Sequence, residues 1–120
     1  MKPGTNSPSA NPSARKSYPR RGEIYWVALD PTVGREIRKT RPALVISPDE
    51  MNQALGTVVL APITSTVRDF PTRYTIRLQR RTASVALDQI RTVSMERLLK
   101  KMTTVDPQPA LAILREMFAY

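Results

Sequence analysis

The apolar residues of this chain come in short bursts, and nearly every burst is closed by a proline, a glycine or a cluster of small polar residues. This punctuation constrains the fold more than any other feature. Apolar runs of roughly four to eight residues suit strands, whereas a packed helix needs ~10 or more residues with a stripe repeating every three or four. Residues 24–29 (IYWVAL) are β-branched and aromatic and read as a first strand, stopped by Asp30-Pro31. A polar, glycine-containing loop follows over residues 32–40. Residues 43–46 (ALVI) and 57–63 (TVVLAPI) are continuous apolar runs, as in strands covered on both faces. Between them, Pro48-Asp49-Glu50 opens a short helix through Leu55, which Gly56 ends. Residues 64–71 read as a Thr/Ser-rich loop. Tyr74, Ile76 and Leu78 alternate with polar residues like a half-buried strand, and residues 79–83 turn the chain back. Residues 84–87 and 90–93 read as further short strands, and residues 95–99 as one or two helical turns. Only after Asp106-Pro107, a cap followed by a helix-starting proline, does helical spacing appear, at Leu111, Leu114 and Phe118. Many short strands, few helices and no alternation of strand and helix predict an α+β domain. Its expected core is a small curled antiparallel sheet with short helices and a C-terminal amphipathic helix.

Residues 1–21 differ in kind from the rest. Prolines at 3, 8, 12 and 19, interleaved serines and almost no large apolar side chains predict a disordered, basic tail, with the folded domain spanning 22–120. A single domain of this size buries a modest core, and dimerisation would add to it. No apolar run approaches the ~20 residues of a membrane span, and the basic N-terminus lacks the apolar stretch of a secretory signal, so a cytoplasmic protein is expected.

Composition then narrows the chemistry. The chain has no cysteine and no histidine. Disulfides, thiolate metal sites, the usual general base and every His-containing triad are thereby excluded. The ten carboxylates are scattered, so no metal or other cofactor is expected. Nineteen Lys and Arg against ten Asp and Glu leave a net charge of +9, which points to a polyanionic partner, most simply nucleic acid.

Three groups of residues carry candidate chemistry. Arg41 precedes Pro42, which pushes it into an extended conformation at the mouth of an apolar strand. A guanidinium held there presents fixed donors to a phosphate, or alternatively pairs with Glu36. Thr64, Ser65 and Thr66 directly follow an apolar strand, where hydroxyls either donate to a phosphate oxygen or make ordinary turn contacts. Asp88, Gln89 and Arg91 sit between two short apolar pieces. Gln reads base edges and Arg holds phosphates or stacks, although a hydrogen-bonded bend explains Asp88 equally well. Trp26 and Tyr25 fall on opposite faces of the first strand, where a core role is the simplest one.

Taken in order, Arg21-Gly22-Glu23-Ile24-Tyr25-Trp26, Asp30-Pro31-Thr32-Val33-Gly34, Lys39-Thr40-Arg41-Pro42-Ala43-Leu44-Val45-Ile46-Ser47 and Asp88-Gln89-Ile90-Arg91-Thr92 form a series that resembles the hallmark blocks of the MazF/PemK toxin endoribonucleases. The resemblance runs from Arg21 to the C-terminal helix. It implies an SH3-like barrel with appended helices, a homodimer, and an acidic, MazE-like antitoxin whose disordered tail wraps the dimer. It also implies the toxin role in a type II toxin-antitoxin system, as an mRNA interferase cutting single-stranded RNA sequence-specifically without metal. In that reaction the ribose 2′-OH attacks the adjacent phosphate and leaves a 2′,3′-cyclic phosphate and a 5′-OH. By the same resemblance Arg41 and Thr64 are the catalytic pair. Arg35, Glu36, Lys39, Ser65, Thr66, Asp88, Gln89 and Arg91 are the residues expected along the RNA. Where the family commonly has Gly-Ser-Glu in the first loop, this chain has Gly34-Arg35-Glu36, which adds a charge on the expected RNA path. The Ser/Pro-rich tail is outside the family pattern.

Two other functions suit the same fold. One is a DNA gyrase poison, which leans on an aromatic-glycine C-terminus where this chain ends Met117-Phe118-Ala119-Tyr120. The other is a non-catalytic SH3-like nucleic-acid-binding module, which explains the charge but leaves Arg41 and Thr64 idle.

Overall fold

Strand β1 (Glu23–Ala28) and strand β2 (Thr40–Val45) pair antiparallel, with Ile24 opposite Leu44 and Val27 opposite Arg41. They anchor a computed structural model that describes residues 18–119. The remaining elements are helix α1 (Asp49–Leu55), β3 (Thr57–Thr64), β4 (Arg73–Leu78), β5 (Arg81–Ala86), β6 (Arg91–Ser94), β7 (Leu98–Thr104) and helix α2 (Gln108–Met117). Short 3-10 turns at Leu87–Gln89 and Met95–Arg97 flank β6. The seven strands form one antiparallel sheet ordered β4-β5-β3-β2-β1-β7, with β6 pairing β3 off that path. This is the α+β, curled antiparallel architecture expected from the sequence.

The long strand β3 makes the curl possible. Its first half, Thr57 to Leu60, pairs with β6, and its last residues, Ile63 and Thr64, pair with β5. On its other side Leu60, Ala61 and Pro62 pair with β2. Both faces of the bend are covered, as the continuous apolar runs implied. Ile24, Leu44, Ala61, Ile63, Val85 and Leu87 are buried on one face, together with Ala110 and Leu114 of α2. Val27, Ala43, Val45, Val58, Leu60 and Val93 are buried on the other, with Ile37, Met95 and Leu98 packed around them. The two sets interleave along each strand because successive side chains point to opposite faces.

Helix ends follow local chemistry. Gly56 closes α1 in the left-handed region at φ 72°. The Asp106 carboxylate accepts a hydrogen bond from the Gln108 N–H at 3.0 Å at the start of α2. Among the described residues, no helix is long and apolar enough to cross a membrane.

Four sequence expectations need correction. The turn expected over residues 79–83 is tighter. Gln79 and Arg80 both adopt positive φ, 51° and 68°, and β5 already begins at Arg81. That backbone suits a two-residue hairpin, usually signalled by Asn-Gly or Asp-Gly, which this chain lacks. The helical turns expected over 95–99 shrink to Met95–Arg97, and a whole strand follows, β7, for which no expectation was made. Its sequence, LLKKMTT, does not alternate, and it is held mainly by pairing with β1 across two register shifts. Phe118 does not belong to the buried stripe of α2; it lies past the helix end and is 71% exposed.

The fourth correction concerns the end of the expected tail. Residues 1–17 lie outside the described residues, but Pro19 is buried and Pro19 to Arg21 are bound to the body. The side-chain amide of Asn52, fully buried on α1, donates to the Pro19 carbonyl at 2.9 Å. The Arg21 N–H donates to Asp49 at 2.8 Å, and Arg21 Nε donates to the Ile46 carbonyl at 2.7 Å. Glu23 completes the clasp, accepting from the Arg20 N–H, the Tyr25 hydroxyl and Lys101 of β7. Burial pushes the Glu23 pKa up, but these three donors together hold it below the usual carboxylate value. Burial and the neighbouring Glu23 push the Tyr25 hydroxyl up to about 12.

Candidate active site

Continuing the β2–β3 register past Ala43 opposite Pro62 brings Arg41 level with Thr64 at the open end of the strand pair. Both residues border one groove of about 490 Å³. Proline before a strand's apolar stretch keeps Arg41 extended, and its Nε donates to the Arg38 carbonyl at 3.2 Å. The alternative of an ion pair with Glu36 is not seen among the described residues, and the Glu36 carboxylate accepts the Val33 N–H at 2.7 Å. Among the described residues no salt bridge engages Arg41. Its charge is therefore not neutralised by a neighbouring carboxylate. Thr64 ends β3, and its Oγ1 accepts the Thr66 N–H at 3.2 Å, leaving the hydroxyl hydrogen available for another acceptor. Ser65 borders the same groove.

A second hollow of about 330 Å³ gathers Glu36, Asp88, Gln89 and Arg91 beside Pro62. Gln89 is aimed by its oxygen, which accepts the Ile37 N–H at 2.8 Å and leaves its NH₂ as the free end. Arg91 donates to the Leu29 carbonyl at 3.1 Å, which ties β6 to the end of β1. Asp88 is engaged otherwise, paired with Arg73 at 2.7 Å and with the Thr72 hydroxyl. The Arg73 guanidinium holds the Asp88 carboxyl below the usual carboxylate value. The bend-stabilising alternative thus describes Asp88 better than direct contact with a ligand. Arg35, Lys39 and Thr66 border neither hollow and stand exposed on the flanking loops, Lys39 with a positive φ of 70°. The expected residues are therefore divided between two hollows and their rims.

Residues 20–117 match the family model described as PemK-like, MazF-like toxin of type II toxin-antitoxin system. The chain belongs to this family. It is 36% identical over 95 residues to endoribonuclease EndoA of Bacillus subtilis (strain 168), an alignment covering 74% of this chain and 82% of that protein. The MazF crystal structure from Deinococcus radiodurans (form I) superposes with a TM-score of 0.76 at 23% identity, covering 87% of this chain and 99% of that one. MazF in the MazE-MazF crystal structure (form II) from the same organism gives 0.66 at 27% identity, covering 84% and 92%.

For a PemK/MazF-family toxin, the groove beside Arg41 contains more than sequence reasoning assigned to it. Trp26, Gln79, Arg81 and Met102 also line it. The β4–β5 hairpin and the unforeseen β7 deliver Gln79, Arg81 and Met102, so their place follows from pairings that local sequence did not reveal. Trp26 alone had a local signal. Alternation set it opposite Tyr25, yet the simplest role for an indole in a strand is core, and here it is 36% exposed. Among the described residues, no grouping of three or more acidic side chains has the geometry of a metal site.

Proposed function

We propose that this chain, an endoribonuclease toxin of the PemK/MazF family, cleaves single-stranded RNA at the groove between Arg41 and Thr64 by attack of the ribose 2′-OH on the adjacent phosphate. The observation that carries this reading is the convergence on one groove rim of a strand-end threonine and an arginine that has no salt bridge among the described residues. The new bond forms between the 2′ oxygen and phosphorus, and the bond from phosphorus to the 5′ oxygen breaks. The 2′ proton is given up and the 5′ oxygen takes one up, leaving a 2′,3′-cyclic phosphate and a 5′-OH. Negative charge grows on the non-bridging oxygens along the way. The guanidinium of Arg41 and the hydroxyl of Thr64 are placed to donate to them, the kind of stabilisation that is often the largest in catalysis. A guanidinium holds its proton tightly, so Arg41 acts here through its charge and its donors.

Gln89, Glu36 and Arg91 around the second hollow, with Arg35, Lys39, Ser65 and Thr66 on the rims, are proposed to hold the flanking nucleotides and set the cleavage sequence. Asp88 acts at one remove by fixing the turn that carries Gln89. The proposal also includes a homodimer acting in the cytoplasm, and an antitoxin whose acidic segment competes with RNA for the same basic surface. A chain of net charge +9 favours such a partner.

A single-stranded RNA and its analogue with hydrogen in place of the 2′-OH at the cut nucleotide test the reaction. In EDTA the first is expected to be cleaved to a 5′-OH product, and the second to remain intact while still binding. Strict dependence on magnesium, or cleavage of the deoxy analogue, overturns the proposed chemistry.

A further inference from the structure

We infer that the groove beside Arg41 and Thr64 is a nucleobase subsite, with Trp26 as its stacking platform. The inference rests on the reading of this site as an RNA-cleaving one and names which part of the substrate enters it.

Ile24 and Trp26 share a face of β1, but only Ile24 is buried beneath the core. At Trp26 that face passes beyond the core, and the indole becomes a wall of the groove. Its cross-strand neighbours are Pro42, which follows Arg41, and the exposed Lys100 of β7. Ile63, Leu78 and Met102 make the walls apolar, and Gln79 and Arg81 of the β4–β5 hairpin stand among the residues that border them. The groove thus joins an apolar wall to a polar rim that includes Arg41, Thr64, Gln79 and Arg81, and its volume falls in the ~300–1,000 Å³ range of small-ligand sites. A half-exposed indole leaves apolar surface in water unless something covers it.

The nature of the occupant follows from what borders the slot. A nucleotide carries its base one sugar away from its phosphate. A phosphate held by Arg41 and Thr64 therefore delivers a base into the adjoining hollow. Aromatic side chains hold single-stranded bases by stacking, and amide and guanidinium groups reach base edges, as Gln79 and Arg81 do from the hairpin. An acidic peptide would bring carboxylates to the rim, whereas each nucleotide brings a phosphate and a planar base together, the pair that the rim and the indole offer side by side.

Trp26 is the chain's only tryptophan, so its fluorescence reports on this slot alone. The full chain is titrated with a short all-deoxy oligonucleotide, which cannot be cut, and with a series carrying one abasic spacer at successive positions. Affinity is read by the anisotropy of an end label. The unmodified oligonucleotide is expected to quench the indole saturably. One spacer position, next to the scissile phosphate, should abolish the quench and weaken binding about 5- to 150-fold, the worth of one stacked base. Trp26→Phe should keep most of the affinity and Trp26→Ala should lose a similar factor. If every spacer position binds and quenches like the unmodified strand, the subsite is overturned. Quenching by an acidic peptide but not by the oligonucleotide also overturns it, in favour of a protein occupant. Because cleavage of ordinary RNA is measured separately, an active enzyme with no spacer effect refutes the subsite alone, whereas an inactive one refutes the parent reading.

Discussion

Replacing Arg41 or Thr64 by alanine removes one donor from the groove rim without touching the core, since neither side chain belongs to either buried cluster. Each variant should fold like the wild type by circular dichroism, yet cleave RNA roughly 10²-fold or more slowly, the usual cost of a lost transition-state donor. Wild-type rates in both variants would remove the pair from the mechanism. Ser84 predicts an effect of opposite sign. It is fully buried on β5, directly across from Thr64, and its hydroxyl has no hydrogen-bond partner among the described residues. An orphaned buried hydroxyl costs on the order of 1–3 kcal/mol. Ser84→Ala should therefore raise the melting temperature in a thermal scan, and a lowered one would mean that the hydroxyl is satisfied. At this scale the sequence made Arg41 conspicuous through Pro42, whereas nothing adjacent to Ser84 indicates that the fold buries it without a partner.

The 3-10 turn Leu87–Gln89 is secured by the pairing of Asp88 with Arg73 on β4, whose side chain is only 10% exposed. Because the folded state holds the Asp88 carboxyl below its ordinary value, the unfolded chain binds that proton more readily. The stabilisation is full above the unfolded Asp value of ~3.9 and disappears as pH falls through the lower folded value. Asp88→Asn should therefore lower the melting temperature at neutral pH. The gap from wild type should narrow as pH falls below the unfolded value and close only once it is below the lowered folded value, where both carry a neutral side chain. A gap independent of pH would show that shape, and not charge, secures the turn. Elements differ in how far sequence disclosed them. β1, β2 and β3 were legible because their apolar runs are continuous and rich in β-branched residues. β7 was not, since a strand held by backbone pairing with β1 need not alternate. The hairpin between β4 and β5 was placed too loosely, because positive φ at Gln79 and Arg80 is imposed by the flanking pairing and not by glycine or asparagine.

Across the whole molecule, the N-terminal boundary has measurable consequences. Deleting residues 1–17 should leave the melting temperature unchanged, whereas deleting residues 1–21 removes the Pro19 carbonyl and leaves the buried Asn52 amide with only one of its two acceptors, the Ser47 carbonyl. A buried N–H left unsatisfied in this way costs about 1–3 kcal/mol, or several degrees in a domain of this size. The shorter deletion also removes Lys2, Arg15 and Lys16, so each phosphate contact they make would flatten the salt dependence of RNA affinity by ~0.7 in log–log slope. An unchanged slope is expected, and a flatter one would place the tail on the RNA. The sequence by itself determined the class of fold, the covering of β2 and β3 on both faces, the exclusion of histidine and thiolate chemistry, and the family. These depend on composition and on patterns within one strand or one motif. Only the tertiary structure decided that Arg41 and Thr64 meet at one groove, that Asp88 is occupied by Arg73, and that Trp26 stands in the groove with Gln79, Arg81 and Met102. Those residues lie far apart along the chain, and the strand register that joins them is set by the packing of the whole sheet around its two cores.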